Sequence, residues 1–177
     1  FFMLQVKSLT LTHRKDLRTI IRDFNLVLNR GDKVVLIGEE GNGKSTLLKW
    51  IYDPGLIDDY ADAEGIRTTQ GELLGYLPQE LPDHDKRKTV FEYYSDIPAF
   101  QAADPSELRK TADELGFSDS LFYTDQEMQS LSGGERVKIQ MAGILLSHPD
   151  ILLLDEPSND IDIETLQWLE RLINRFS

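Results

Sequence analysis

The sequence contains no cysteine in 177 residues. That excludes a disulfide scaffold, a thiolate metal site and a thiol nucleophile. It has no apolar run near the ~18 residues of a membrane span. The start, Phe1-Phe2-Met3-Leu4-Gln5, has neither the basic segment nor the long apolar segment of a secretion signal, so a cytoplasmic protein is the expectation. Positive charge is scarce: 19 Lys and Arg against 31 Asp and Glu leave a net charge of −12. A surface that holds DNA directly by neutralising phosphates is therefore not expected. Histidine occurs three times, as His13, His84 and His148, each read as a surface or structural residue. There is no internal repeat and no low-complexity tract. Hydrophobic residues at 40% and charged residues at 28% are a globular balance, and the length suits one domain with a real core.

The first thirty residues read as antiparallel strands. Leu4 and Val6, then Leu9 and Leu11, alternate with a phase slip between the pairs, and Phe24, Leu26 and Leu28 alternate with Asn25 and Asn29. Arg30-Gly31-Asp32 reads as a turn. The runs Val34–Ile37 and Ile151–Leu154 are continuously apolar, as in strands buried on both faces. Pro105-Ser106-Glu107 predicts a helix that ends near Gly116. Ile163, Leu166, Leu169, Ile173 and Phe176 predict one face of a final helix. Phe1 and Phe2 precede Met3 and read as vector or upstream residues, and the last helix reads as cut off without a tail.

The first apolar run leads into Gly38-Glu39-Glu40-Gly41-Asn42-Gly43-Lys44-Ser45, followed by the helical stretch from Thr46 to Ile51. Strand, glycine loop and helix are the context in which G-x-x-x-x-G-K-[ST] cradles phosphates. Glycines let consecutive amide N–H groups turn inward, and the helix N-terminus adds partial positive charge. Lys44 is placed to reach the β- and γ-phosphates of a nucleotide, and the Ser45 hydroxyl to ligate Mg²⁺. The second apolar run ends in Asp155-Glu156-Pro157. Carboxylates at the end of a core strand are costly unless a cation is near. Asp155 is the candidate metal carboxylate, holding Mg²⁺ through water, and Glu156 the candidate general base for an attacking water.

Leu131-Ser132-Gly133-Gly134-Glu135 opens a helix with Val137, Met141, Ile144 and Leu145 on one side. A Ser-Gly-Gly helix start is a second anion site in prospect. Here the chain resembles the ATP-binding cassette (ABC) ATPases. Leu131 to Glu135 matches their signature motif, 20 residues before Asp155. Tyr76-Leu77-Pro78-Gln79, with Gln79 35 residues after Lys44, is similar to their Q-loop, and Ser158-Asn159-Asp160-Ile161-Asp162 to their D-loop.

The resemblance implies an α/β fold: a P-loop NTPase core with an N-terminal antiparallel β subdomain and an inserted α-helical subdomain at about residues 90–130. Residues 1–177 would form one nucleotide-binding domain, incomplete at its C-terminus. It implies ATP and Mg²⁺ as ligands. Gly38, Glu39, Glu40, Gly41, Asn42, Gly43, Lys44, Ser45 and Thr46 would bind the nucleotide of one cassette. Ser132, Gly133 and Gly134 would close on the γ-phosphate held by another. Ser45, Gln79 and Asp155 would hold the metal, and Glu156, Lys44 and Gln79 would carry catalysis. The partner implied is a second cassette, in the same polypeptide or as a homodimer, and the isolated chain is expected to turn over little or no ATP.

Glu156-Pro157-Ser158-Asn159-Asp160-Ile161-Asp162-Ile163-Glu164-Thr165-Leu166 is similar to the E-P-T-N-H-L-D-I-E-T-L run of the ABC-F class, soluble ATPases that act on the ribosome. Asn159 stands where transporters usually have Ser, and Asp160 where the ABC-F run has His. The 52 residues from Gln79 to Leu131 leave little room for the long helical arm of some ABC-F proteins. The family's switch histidine is expected about thirty residues past the D-loop, a position beyond Ser177, and the stretch Arg14 to Leu17, where the family has an aromatic ring to stack on adenine, has none apart from nearby His13. The alternatives are the motor subunit of a membrane transporter, with Gln79 to Phe100 receiving a membrane-domain helix, and a non-catalytic module in which ATP only joins two cassettes. The acid at Glu156 speaks against the last.

Overall fold

The computed structural model describes residues 2–38, 43–157 and 161–176. The chain divides into two compact units, the first running through Leu74 and the second from Gly75 to Phe176. No helix among the described residues is long and apolar enough to cross a membrane.

The first unit is an antiparallel sheet with one helix. Strand β1 (Leu4–His13) lies between β2 (Thr19–Leu28) and β3 (Ala61–Thr69). The phase slip is real. Leu4, Val6, Leu9 and Leu11 are all buried because the register shifts between Val6 and Leu9. The shift places Ser8 at φ +50°, and its N–H donates to the Asn25 side chain at 2.9 Å. One extra residue in the strand thus brings both pairs to the same face. Arg30–Asp32 forms the expected turn, closed by the Asp32 N–H on the Asn29 carbonyl at 3.1 Å. Helix α1 (Lys44–Tyr52) buries Leu47, Trp50 and Ile51, the i, i+3, i+4 stripe of an amphipathic helix. The Arg67 guanidinium donates to the Ile51 carbonyl at 2.6 Å, tying β3 to the last turn of α1.

Val34–Ile37 corrects one expectation. The run is not a strand in the described structure, and Val34, Val35 and Ile37 are 51%, 78% and 93% exposed. An apolar run becomes a buried strand only where ladder partners and covering faces exist. This segment joins neither the three-stranded sheet nor the two-stranded one.

The second unit is mostly helical. Strand β4 (Leu74–Leu77) begins at the boundary and pairs with β5 (Ile151–Leu154), the second apolar run, which is a strand as expected but buries Ile151 and Leu153 and leaves Leu152 and Leu154 only half-buried. Helices α2 (Val90–Ser95), α3 (Pro98–Ala102) and α4 (Pro105–Leu115) follow. Helix α4 has the predicted bounds. Asp104 and Glu107 form a capping box at its start, Pro105 opens it, and Gly116 at φ +79° ends it. The core gathers on Tyr94 and Phe122, whose rings meet edge to face at 4.9 Å. The fully buried Tyr94 hydroxyl donates to the Ile139 carbonyl at 2.7 Å.

Helix α5 (Gly133–Leu145) buries a wider face than expected: Met141 is buried with Ile139, Gln140, Ala142 and Gly143, while Val137, Ile144 and Leu145 are half-buried. Helix α6 (Ile163–Arg175) is rotated from the predicted face. Thr165, Leu169 and Leu172 point inward, and Ile163 and Leu166 are 74% and 42% exposed. The Trp168 indole N–H donates to the Leu115 carbonyl at 2.9 Å, and its ring stacks on Phe117 at 5.7 Å. Those two contacts set the rotation, which apolar spacing alone does not encode.

Candidate functional site

In the first unit the phosphate loop enters α1 through Gly43, its N-cap, at φ +82° and ψ +12°. A side chain there would be strained in this left-handed conformation and would collide with the Ile20 side chain. The first turn of α1 holds no acidic residue, so the partial positive charge of the helix end is not cancelled. The Lys44 ammonium donates to the Gly38 carbonyl, joining the two ends of the loop. Ser45 and Thr46 follow in the first turn, both half-buried. Glu39, Glu40, Gly41 and Asn42 lie outside the described residues.

In the second unit the acids sit where β5 ends. The Asp155 N–H donates to the Leu77 carbonyl at 3.0 Å, which continues the ladder one residue past the strand. Asp155 is 2% exposed, and its Oδ2 has no hydrogen-bond partner among the described residues. A buried carboxylate oxygen left this way costs free energy that a cation or its water shell would recover. This residue therefore fits Mg²⁺.

Glu156 is exposed and stands at φ +41°, a left-handed conformation that costs a non-glycine residue about 1–3 kcal/mol. Its Oε2 accepts a hydrogen bond from the Gln79 amide at 2.8 Å. Two residues separated by 77 positions thus meet, and both were singled out from the sequence. The β4–β5 pairing brings them together, because Leu77 precedes Gln79 by two residues and bonds to Asp155.

The third element is the start of α5. The Ser132 hydroxyl accepts from the Glu135 N–H at 3.2 Å, and the Glu135 carboxylate accepts from the Ser132 N–H at 3.1 Å. Gly134 is buried, and a Cβ on it would strike the Thr165 hydroxyl. The N-terminal turns of α5 and α6 therefore pack against each other through a glycine and a threonine. The Thr165 N–H donates to the Asp162 N-cap carboxylate at 2.7 Å. Hydrogen bonding by Thr165, first through its side chain and then its backbone, holds the Asp162 carboxyl below its ordinary range, with the Lys138 charge adding to the effect. Ser158, Asn159 and Asp160 lie outside the described residues.

Sequence reasoning gave no role to Thr165, which lies in the run Glu156 to Leu166 and whose burial at 3% exposure that run does not announce. It also missed a cluster beside α1. Tyr60 precedes β3, and its hydroxyl lies 3.4 Å from the Thr46 hydroxyl. The His13 ring is 6.3 Å from the Tyr60 ring, and the Lys49 ammonium 5.9 Å from its centre.

The fold is that of an α/β P-loop NTPase, with a phosphate loop entering α1 in the first unit and strand-end carboxylates and a glycine-rich helix start in the second. The chain belongs to the ABC transporter family, whose model matches residues 21–159. It is an ATP-binding domain of that family. Among curated proteins it is 34% identical to the ATP-binding protein Uup of Haemophilus influenzae, over 90% of this chain and 24% of that protein. It is 31% identical to the energy-dependent translational throttle protein EttA of Escherichia coli K12, over 90% of this chain and 34% of that protein. The putative ATP-binding protein YdiF of Bacillus subtilis is 32% identical, over 99% of this chain and 32% of that protein. The chain spans about a quarter to a third of the length of these relatives. Among solved structures it matches the inward-facing conformation of a putative metal-chelate type ABC transporter. The TM-score is 0.73 at 24% identity, covering 98% of this chain and 68% of that one. An ATP-binding subunit of an ABC transporter matches at TM-score 0.72 and 22% identity, covering 97% and 74%. At these identities the structural likeness concerns the fold.

Proposed function

We propose that this chain is a cassette of an ABC-F-type ATPase, which binds MgATP and, paired with a second cassette, hydrolyses it to drive a conformational change on the ribosome. The observation that carries the ATPase reading is the strand end: Asp155 buried with an unpartnered oxygen, next to Glu156 held by Gln79. In this reading the amides from Gly38 to Thr46 and the Lys44 ammonium hold the phosphates. Ser45, Gln79 and Asp155 would hold Mg²⁺, which would supply positive charge beside the phosphates. Glu156 orients a water and takes its proton as the water oxygen bonds to the γ-phosphorus. The bond to the bridging oxygen breaks, and ADP leaves with the electron pair.

The Ser132-Gly133-Gly134 helix start serves the γ-phosphate of the partner cassette, so each cassette supplies half of each site. The ribosomal target is supported by the similarity to the translational throttle protein EttA and by the run Glu156 to Leu166. The net charge of −12 assigns ribosome contact to other parts of the assembled protein.

One observation favours the transporter-motor alternative. Phe91 and Tyr123 are 43% and 52% exposed, with rings 6.0 Å apart on the helical part of the second unit. Tyr94, which lies in the stretch Gln79 to Phe100 expected to form such a groove, is core.

Steady-state phosphate release tests the catalytic reading. The isolated chain is expected to turn over little or no ATP. In a protein with paired cassettes, Glu156→Gln should lower turnover by about 10²–10⁴-fold while MgATP still binds. Turnover per molecule that stays constant when a monomeric chain is diluted would show that one cassette suffices, and an unaffected Glu156→Gln would remove the base from Glu156.

A further inference from the structure

The phosphate loop explains how the chain holds a triphosphate but not how it holds a nucleoside. The turn between β1 and β2, Arg14 to Arg18, carries no aromatic ring, and its one apolar side chain, Leu17, is 75% exposed. A ring lies close to this turn in the same unit. Tyr60 immediately precedes β3, and its carbonyl accepts the Arg14 N–H at 2.9 Å, which places its backbone beside that turn. Its hydroxyl reaches the Thr46 hydroxyl at 3.4 Å, in the first turn of α1. Thr46 and Lys49 are three residues apart and share one side of α1, and both lie against Tyr60. His13, the last residue of β1, adds a second ring 6.3 Å away, tilted 47° to the first. The His13 Nδ1 lies 3.4 Å from an Asp16 carboxylate oxygen.

We propose that Tyr60, with His13 beside it, is the platform on which the base of the bound nucleotide rests. The proposal depends on the phosphate-loop reading. In that reading the N-terminal turn of α1 faces the phosphates, and the ribose and base extend from the α-phosphate. Tyr60 reaches that turn with its hydroxyl and the β1–β2 turn with its backbone carbonyl, so its ring is an aromatic surface on the side where the nucleoside would extend. Such faces bind nucleobases by stacking, with little dependence on base identity. The competing role is that of a strut joining β3 to α1, which would serve the phosphates and the nucleoside equally.

The test is calorimetric titration of the chain with MgATP and, separately, with magnesium tripolyphosphate, which has no base. Tyr60→Leu keeps apolar bulk but removes the ring. It should weaken MgATP about tenfold and leave tripolyphosphate within twofold of the parent. Tyr60→Phe should restore MgATP binding. Tyr60→Trp gives a second reading: its added emission should be quenched by MgATP and unchanged by tripolyphosphate. Equal weakening of both ligands by Tyr60→Leu would make Tyr60 a strut, and no weakening of either would leave it outside the site. Both results overturn the proposal. A parent chain that binds neither ligand would overturn the phosphate-loop reading itself, and this proposal with it.

Discussion

The two units hold their chemistry in different ways. In the second, the acids extend a strand whose alternate residues are buried, and the glycine-rich turn is locked to α6 by Gly134 and Thr165. The core of the same unit buries large side chains completely: Tyr94, Phe122, Met128 and Met141. In the first, the phosphate loop follows an extended segment whose apolar side chains are largely exposed, and its α1 end is anchored by Leu47, Trp50, Ile51 and Arg67. Donors that must be aimed at developing charge are best placed on supported elements. A loop that takes up phosphate through backbone N–H groups depends more on glycine and helix geometry than on a packed approach.

The largest effect that would break this contrast is one of stability. Phe122 is fully buried between Tyr94 and Phe100, so Phe122→Ala should cost about 3–5 kcal/mol in urea unfolding. Val35 is 78% exposed, and Val35→Asp should fall within about 0.5 kcal/mol of the parent. A Val35→Asp penalty of several kcal/mol would show that the run is a buried strand, as its composition alone suggests.

Much of this was legible in the sequence, for identifiable reasons. The bulge in β1 was visible because four apolar residues cannot share a face without an extra residue between them. The bounds of α4 were visible because Asp104, Pro105, Glu107 and Gly116 each have a local backbone role. The meeting of Gln79 and Glu156 followed from motifs rather than from any periodicity. Three features were not legible. The exposure of Val34–Ile37 depends on which strands pair, which the residues of the run do not specify. The rotation of α6 depends on Trp168 reaching the Leu115 carbonyl, 53 positions away. Tyr60 carried no signal, since a tyrosine before a strand is ordinary until Thr46 is found beside it.

Lys44 sharpens the comparison at the level of binding. Lys44→Ala removes a charge-assisted phosphate contact and should weaken MgATP by about 1.5–3 kcal/mol in calorimetry, with little change in the melting of the second unit. Equal affinity in mutant and parent would remove the phosphate loop from the site.

Gly134 tests how tightly the second unit is locked. Gly134→Ala places a methyl against the Thr165 hydroxyl and should cost about 1–3 kcal/mol. Thr165→Ala should relieve part of that cost, so the double mutant should be more stable than the sum of the single effects predicts. Strict additivity in thermal unfolding would mean that the two helix starts do not bear on each other.

The smallest effect is one of pH, and it also lies in the second unit. Asp104 and Asp162 cap α4 and α6, and both carboxyls are held below their ordinary range. The chief cause is a side-chain hydrogen bond, from Ser106 to Asp104 and from Thr165 to Asp162. A carboxyl that binds its proton less readily when folded stabilises the protein above its unfolded pKa, about 4 for aspartate. That contribution is lost as the pH falls through the lower folded value. Both groups are exposed, so the effect is small and screened by salt. Melting followed by helical circular dichroism should be flat from pH 7 to 5 with respect to these two groups, and then decline below pH 4. In Asp104→Asn and Asp162→Asn, which keep a capping oxygen but cannot titrate, the part of the decline due to each group should disappear. An acid decline of unchanged size in the double variant would assign the pH dependence of this unit to other carboxylates.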